Sequence, residues 1–151
     1  MPPIYRDDPY GNYNFLLEID GVSEDGRAAR GSFSEISGLG VEIQTIEYRN
    51  GSEDNTVRKL PGLKKYPNLV CTRGFTGDDR FWQWLLTAMQ GTPQRANGRI
   101  ILLDEGRQEV ARWHFRRAWP CKWTGPSLNA VHADVAIETL EICHEGLELA
   151  D

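Results

Sequence analysis

The sequence has little with which to build a metal centre or a disulfide frame. Its three cysteines, Cys71, Cys121 and Cys143, are odd in number and far apart, and its three histidines form no HExxH or other ligand spacing. On a strand, the adjacent Cys143 and His144 point to opposite faces and are poorly placed to share an ion. The cysteines therefore read as reduced core thiols. A Cys-His nucleophile would need an orienting third group, which the order of these residues does not supply. Gly38 and Gly40 open no helix, so they fail as a phosphate loop. No catalytic residue, cofactor or metal is expected. No run approaches the roughly 20 apolar residues of a membrane span, and MPPIYRDDPYGNYN lacks the basic-then-apolar order of a secretory signal. Synthesis in the cytoplasm without stable membrane anchoring follows. An excess of basic charge is also missing, with 17 Lys and Arg against 22 Asp and Glu and a formal net charge of −5. That balance argues against nonspecific nucleic-acid binding, which needs clustered cations.

No low-complexity stretch, repeat or composition break divides the 151 residues. One domain over 1–151 is expected, with an irregular arm at 1–12 carrying Pro2, Pro3, Pro9 and Gly11 and a short tail at 146–151. The body reads mainly as strands. Tyr13, Phe15, Leu17 and Ile19 alternate and would share a face, Asp20-Gly21 makes a turn, and after Asp25-Gly26 a second strand over 31–37 presents Phe33. In VEIQTIEY the apolar phase slips from Val41 and Ile43 to Ile46 and Tyr48, which predicts a bulge. The polar stretch from Arg49 to Arg58 exceeds a tight hairpin and reads as a solvated loop or a contact element. Pro61-Gly62 and Tyr66-Pro67 read as a turn region before a strand from Asn68 to Phe75.

Thr76 or Asp78 is placed to cap a helix that continues to Gln90 and stops at Gly91 and Pro93. Phe81, Trp82, Leu85, Leu86 and Met89 give it an apolar stripe to lay on a sheet. Ile100 to Leu103 is apolar throughout, as in a strand covered on both faces, and Asp104 to Arg107 turns it. On the return, Ala111, Trp113, Phe115 and Trp119 are expected on one face and Arg112, His114 and Arg116 on the other, with Pro120 ending the strand. A last strand over 132–144 is expected to bury Val135 and Ile137, then slip at Glu138-Thr139 to Leu140 and Ile142. The basic residues cluster locally at Lys64-Lys65, at Arg116-Arg117, and where Arg49, Arg58 and Lys59 flank the acidic pair Glu53 and Asp54. Such clusters read as a solvated face or a protein contact.

Rare residues at fixed places mark this chain further: DPYGNYNFLLEIDG from Asp8, VRKLPGLKKYPN at 57–68, NGRIILLDEGRQEVARW at 97–113, AWPCKWTGPSLNA at 118–130 and VAIETLEICHEGLE at 135–148. In these the chain resembles the phage-type tail tube family, the inner-tube proteins of contractile phage tails and contractile injection machines. The resemblance implies a mainly β fold, a sandwich or barrel with one packed α-helix. It also implies six copies in a ring whose inner strands form a continuous β-barrel, with rings stacked into a hollow tube. The implied partners are further copies of the chain, a contractile sheath, baseplate, spike and tube-initiator proteins, a terminator cap, and a toxin or DNA cargo in the lumen. The implied setting is a phage tail or a phage-tail-like particle assembled in the cytoplasm and released. Arg49, Glu53, Asp54, Arg58, Lys59, Lys64 and Lys65 are the expected assembly residues, with polar complementarity preferred to a large exposed apolar patch. The arm and the tail are expected to make axial contacts. Two alternatives are a tube-initiating baseplate adaptor and a small-molecule-binding β-barrel protein.

Overall fold

The computed structural model describes residues 2–22, 33–52 and 55–151. The Asp25-Gly26 connection, Gly31 and the loop carboxylates Glu53 and Asp54 lie outside the described residues. Among those described there are nine strands and one helix: β1 (Phe15–Ile19), β2 (Phe33–Ser37), β3 (Glu42–Tyr48), β4 (Arg58–Lys65), β5 (Leu69–Gly74), α1 (Arg80–Met89), β6 (Ala96–Leu103), β7 (Glu109–Thr124), β8 (Ile137–Cys143) and β9 (Gly146–Leu149). The body runs in the order β1-β6-β7-β8-β5-β2, with β9 also on β7, while β3 and β4 pair only with each other. Every pairing is antiparallel.

The 16 residues of β7 serve two sheets. Its first part pairs with β6 and β9, and Trp119 to Thr124 pair with β8. Between these parts, Gly98 faces Phe115 but Ala96 faces Ala118, so β7 carries one extra residue. Arg117 occupies that bulge in the left-handed region, φ 53°, and donates its N–H to Asn97 Oδ1 at 3.0 Å. The extra residue shifts the phase, so Ala111 and Phe115 are buried before it and Ala118 and Pro120 after it. Trp119 therefore does not continue the Phe115 face. Nor does Pro120 end the strand: it sits opposite Ile142, beside a second bulge at Pro120/Lys122, where a missing N–H is tolerated.

Several further expectations are corrected. Tyr13 is exposed and precedes β1, leaving Leu17 and Ile19 as the buried members of that face. Pro61-Gly62 lies inside β4, because Pro61 is on an edge strand at a bulge. The chain breaks only at Tyr66-Pro67. The helix buries Phe81, Trp84 and Leu85, whereas Trp82 and Met89 are exposed at 39% and 62%. Its start is held by Asp78, whose Oδ1 accepts from Arg80 N at 3.1 Å, while Thr76 takes no part in it.

β8 begins later than expected and leaves Val135 77% exposed. The inward residues are Glu138, Leu140 and Ile142, in unbroken register with β5, so the apparent slip is a charged residue occupying a core position. Residues 146–149 of the short tail form β9 on β7, held by Arg116 to Glu148 (3.6 Å) and Arg117 to Glu145 (2.7 Å). This gives the Arg116-Arg117 pair an intramolecular role. The arm is anchored too: Ile4 N donates to Val110 O at 2.9 Å and Arg6 forks onto both Glu105 oxygens at 2.9 Å.

Leu17, Ile19, Leu69, Cys71, Phe115 and Ile142 fill the interior, with Phe81 and Trp84 inserted from α1. Full burial of such side chains stabilises by about 1.5–3 kcal/mol each. Trp84 also donates Nε1–H to Gln94 O at 2.6 Å, so the indole enters the core without stranding its donor. Cys71 is a core thiol pushed up to about 12 by burial, but Cys121 is exposed and Cys143 half-buried, so only one of the three fits the expected core role.

Candidate assembly interface

β3 and β4 leave the body as a two-stranded ribbon in which every residue is exposed except Gly62. The predicted slip in VEIQTIEY is a real bulge: Ile43 faces Lys64 and Thr45 faces Pro61, so β4 carries one more residue than β3. That residue comes from the Gly62-Leu63 step, and a Cβ on Gly62 would lie 2.9 Å from Gln44 O. Beyond the bulge, Ile46 faces Leu60 and Tyr48 faces Arg58, which puts Ile46, Tyr48 and Leu60 on one surface. Thr45, Glu47, Lys59 and Pro61 take the other.

Val41, Ile43, Ile46, Tyr48, Leu60 and Leu63 are all exposed. A lone two-stranded hairpin is at best marginally stable in water. One that also exposes this much apolar surface is built to be covered. On the Ile46 surface the apolar residues outnumber the charges.

The expected assembly residues fall into two groups. Arg58 and Lys59 lie at the distal end of the ribbon and Arg49 just beyond β3, while Lys64 and Lys65 lie at its root. Six residue steps, roughly 20 Å, separate the groups. Lys65 faces Glu42 and Lys59 faces Glu47, opposite charges that favour this register by about 0.2–1 kcal/mol per pair. Sequence reasoning missed the apolar residues between these charges, although the slipped alternation marked their position.

Among the described residues the body has open edges at β1, β2 and the short β9. Leu103 N donates to Asn14 O and Asp20 N to Asn97 O, both at 2.9 Å, which sets the phase of the β1 ladder. The amides of Phe15, Leu17 and Ile19 therefore point to the open edge. An edge of this kind is a template for another strand. Within the described residues, no group of three or more His, Cys, Asp or Glu side chains is placed to hold a metal, and no helix is long and apolar enough to cross a membrane.

The sequence profile of the T4-like virus tail tube protein gp19 family matches residues 11–148. The chain belongs to that family. It is a family of structural tube proteins. No curated protein matches the chain at the sequence level. Among solved structures, a chain of the PVC extracellular contractile injection system sheath-tube complex in the extended state is 22% identical with a TM-score of 0.81, over 95% of this chain and 93% of that one. A chain of the anti-feeding prophage baseplate is 24% identical with a TM-score of 0.82, over 96% and 97%. Hcp1 from Flavobacterium johnsoniae is 13% identical with a TM-score of 0.53, over 91% and 94%. At these identities the likeness establishes the fold, a tail-tube fold of mainly β structure with one packed helix.

Proposed function

We propose that the protein is the inner-tube subunit of a contractile injection machine, a structural role without a catalytic step. The whole chain would act as one tube domain. Six copies close into a ring by joining their open β1 and β2 edges to neighbours, and the β3–β4 ribbon reaches across to an adjoining subunit or ring. Closure supplies partners to edges that would otherwise invite open-ended aggregation. Arg49, Arg58 and Lys59 engage the neighbour at the distal end of the ribbon together with Glu53 and Asp54, and Lys64 and Lys65 steady its root. A contractile sheath outside, a baseplate below and a terminating cap above are the partners proposed, on the likeness to chains from sheath-tube, baseplate and cap complexes. The particle would be assembled in the cytoplasm and carry a toxin or DNA in its lumen.

The observation that carries this reading is the uncovered apolar ribbon. Negative-stain electron microscopy of the purified chain over a concentration series tests it. Six-fold rings and stacked hollow tubes are expected. Rings that never elongate would instead mark a tube initiator, and a monomer at every concentration would overturn the reading.

A further inference from the structure

Trp82 and Trp123 meet edge to face, with centroids 5.0 Å apart at 73°, and form two walls of a cavity of about 260 Å³ beside the start of α1. Phe75, 53% exposed, supplies a third wall. Gly77 also lines the cavity, at φ 87°, a backbone conformation that L side chains rarely adopt.

The floor is rigid. Trp123 Nε1–H donates to Glu138 Oε2 at 3.1 Å, Arg73 Nε donates to Glu138 Oε1 at 2.6 Å, and an Arg73 terminal nitrogen reaches Asp78 O at 3.0 Å. Arg73 and Arg80 offset the charges of Glu138 and Asp78. Asp79 is different: its carboxylate takes only a 3.4 Å bond from Gln83 Nε2 among the described residues, and it lines the same cavity.

We infer that this cavity is an aromatic cage for one arginine or lysine side chain of a partner protein. An apolar occupant would bury the Asp79 carboxylate without a partner, which is costly, whereas a cation pairs with it and lies against the indole rings. The aliphatic stem of the same side chain suits the apolar walls. The partial positive charge at the helix start opposes a cation by about half an elementary charge, less than the full charge of Asp79. The volume lies below the roughly 300–1,000 Å³ of small-molecule sites, which favours a single inserted side chain over a metabolite. Preformed walls spare the cost of ordering them on binding. The identity of the partner rests on the tube reading, under which we assign it to the sheath subunit. The existence of the cage does not depend on that reading.

Titration of the full-length chain, with labelled tryptophan indoles, against acetyl-Gly-Arg-Gly-amide and its lysine and citrulline counterparts tests the cage by nuclear magnetic resonance. The cationic peptides are expected to move the Trp82 and Trp123 signals, leaving Trp84 in place, and Asp79→Asn and Trp82→Ala are expected to weaken binding about tenfold. No shift, or equal shifts with citrulline, would overturn the cage. Separately, Asp79→Asn tubes should form normally yet co-sediment with sheath protein about tenfold less, and undiminished sheath binding would overturn the assigned partner. If the parent chain forms no tubes, the tube reading fails while the peptide result stands.

Discussion

At the scale of single residues, Glu138 and His144 carry consequences that their sequence positions did not announce. Glu138 occupies a core position because Arg73, Trp123 and the packed rings of Phe33 and Phe81 receive its charge and that of its partner. Glu138→Ala removes the carboxylate that pairs with the buried Arg73 guanidinium. A loss of about 3–5 kcal/mol in urea unfolding is expected, and a loss below about 1 kcal/mol would contradict the pairing. His144 is 8% exposed, donates Nδ1–H to Gly146 O at 3.0 Å, and has no partner for Nε2 among the described residues. Burial pushes its pKa below the ordinary 6.5, against the opposing pull of the Gly146 and Pro67 carbonyls. The unfolded chain therefore takes up a proton that the folded chain resists. Stability from the neutral imidazole is complete above about pH 6.5 and is lost as pH falls toward the folded value. The urea midpoint of the parent should drop between about pH 7.5 and 5.5, and the drop should shrink in His144→Leu. Identical pH dependence in the two would refute the assignment. At lower pH the Arg6 fork matters as well, since it holds Glu105 at about 2, so this arm contact weakens as pH falls below the ordinary 4.5.

At the scale of elements, much was legible because local chemistry decided it. The Asp20-Gly21 turn, the helix ended at Gly91, the Asp104 to Arg107 turn and the slip in β3 all follow from turn residues or alternation. The misread elements share a cause: Pro61 and Pro120 look like terminators, but each lies at a bulge, and a bulge depends on the partner strand. The same ladders decide where ring closure can be tested. Thr139 pairs with Thr72 on one side and Thr124 on the other, so Thr139→Pro should break the interior of the domain and unfold it. Phe15→Pro removes an outward amide and keeps the bonds to β6. It is expected to yield a folded monomer by circular dichroism that no longer forms rings, and intact rings would refute closure through β1. On the ribbon, Ile46→Lys with Leu60→Glu replaces exposed side chains, so monomer stability should change by no more than about 0.5 kcal/mol per site. Tubes should be lost, and tubes of normal length would remove the ribbon from the assembly.

At the scale of the whole molecule, each chain carries a formal charge of −5, so the proposed stacking would bring like charges together while covering the exposed apolar residues of the ribbon. If the apolar term dominates, raising salt toward about 1 M, where the Debye length is about 3 Å, should lengthen tubes by screening the repulsion. Shortening would mean that ion pairs made by residues such as Arg49, Arg58 and Lys59 dominate instead. The sequence by itself determined the strand-rich class, the single amphipathic helix, the main turns and, through its motifs, the family. These depend on residue type, on periodicity along a few consecutive positions, or on motif resemblance. Only the tertiary structure decided that Glu138 belongs in the core, that Trp82 leaves it for a cage with Trp123, that the tail is a ninth strand, and that β3 and β4 stand uncovered. Each of those depends on what lies opposite a residue from a distant part of the chain, and a partner across a sheet leaves no mark on local spacing.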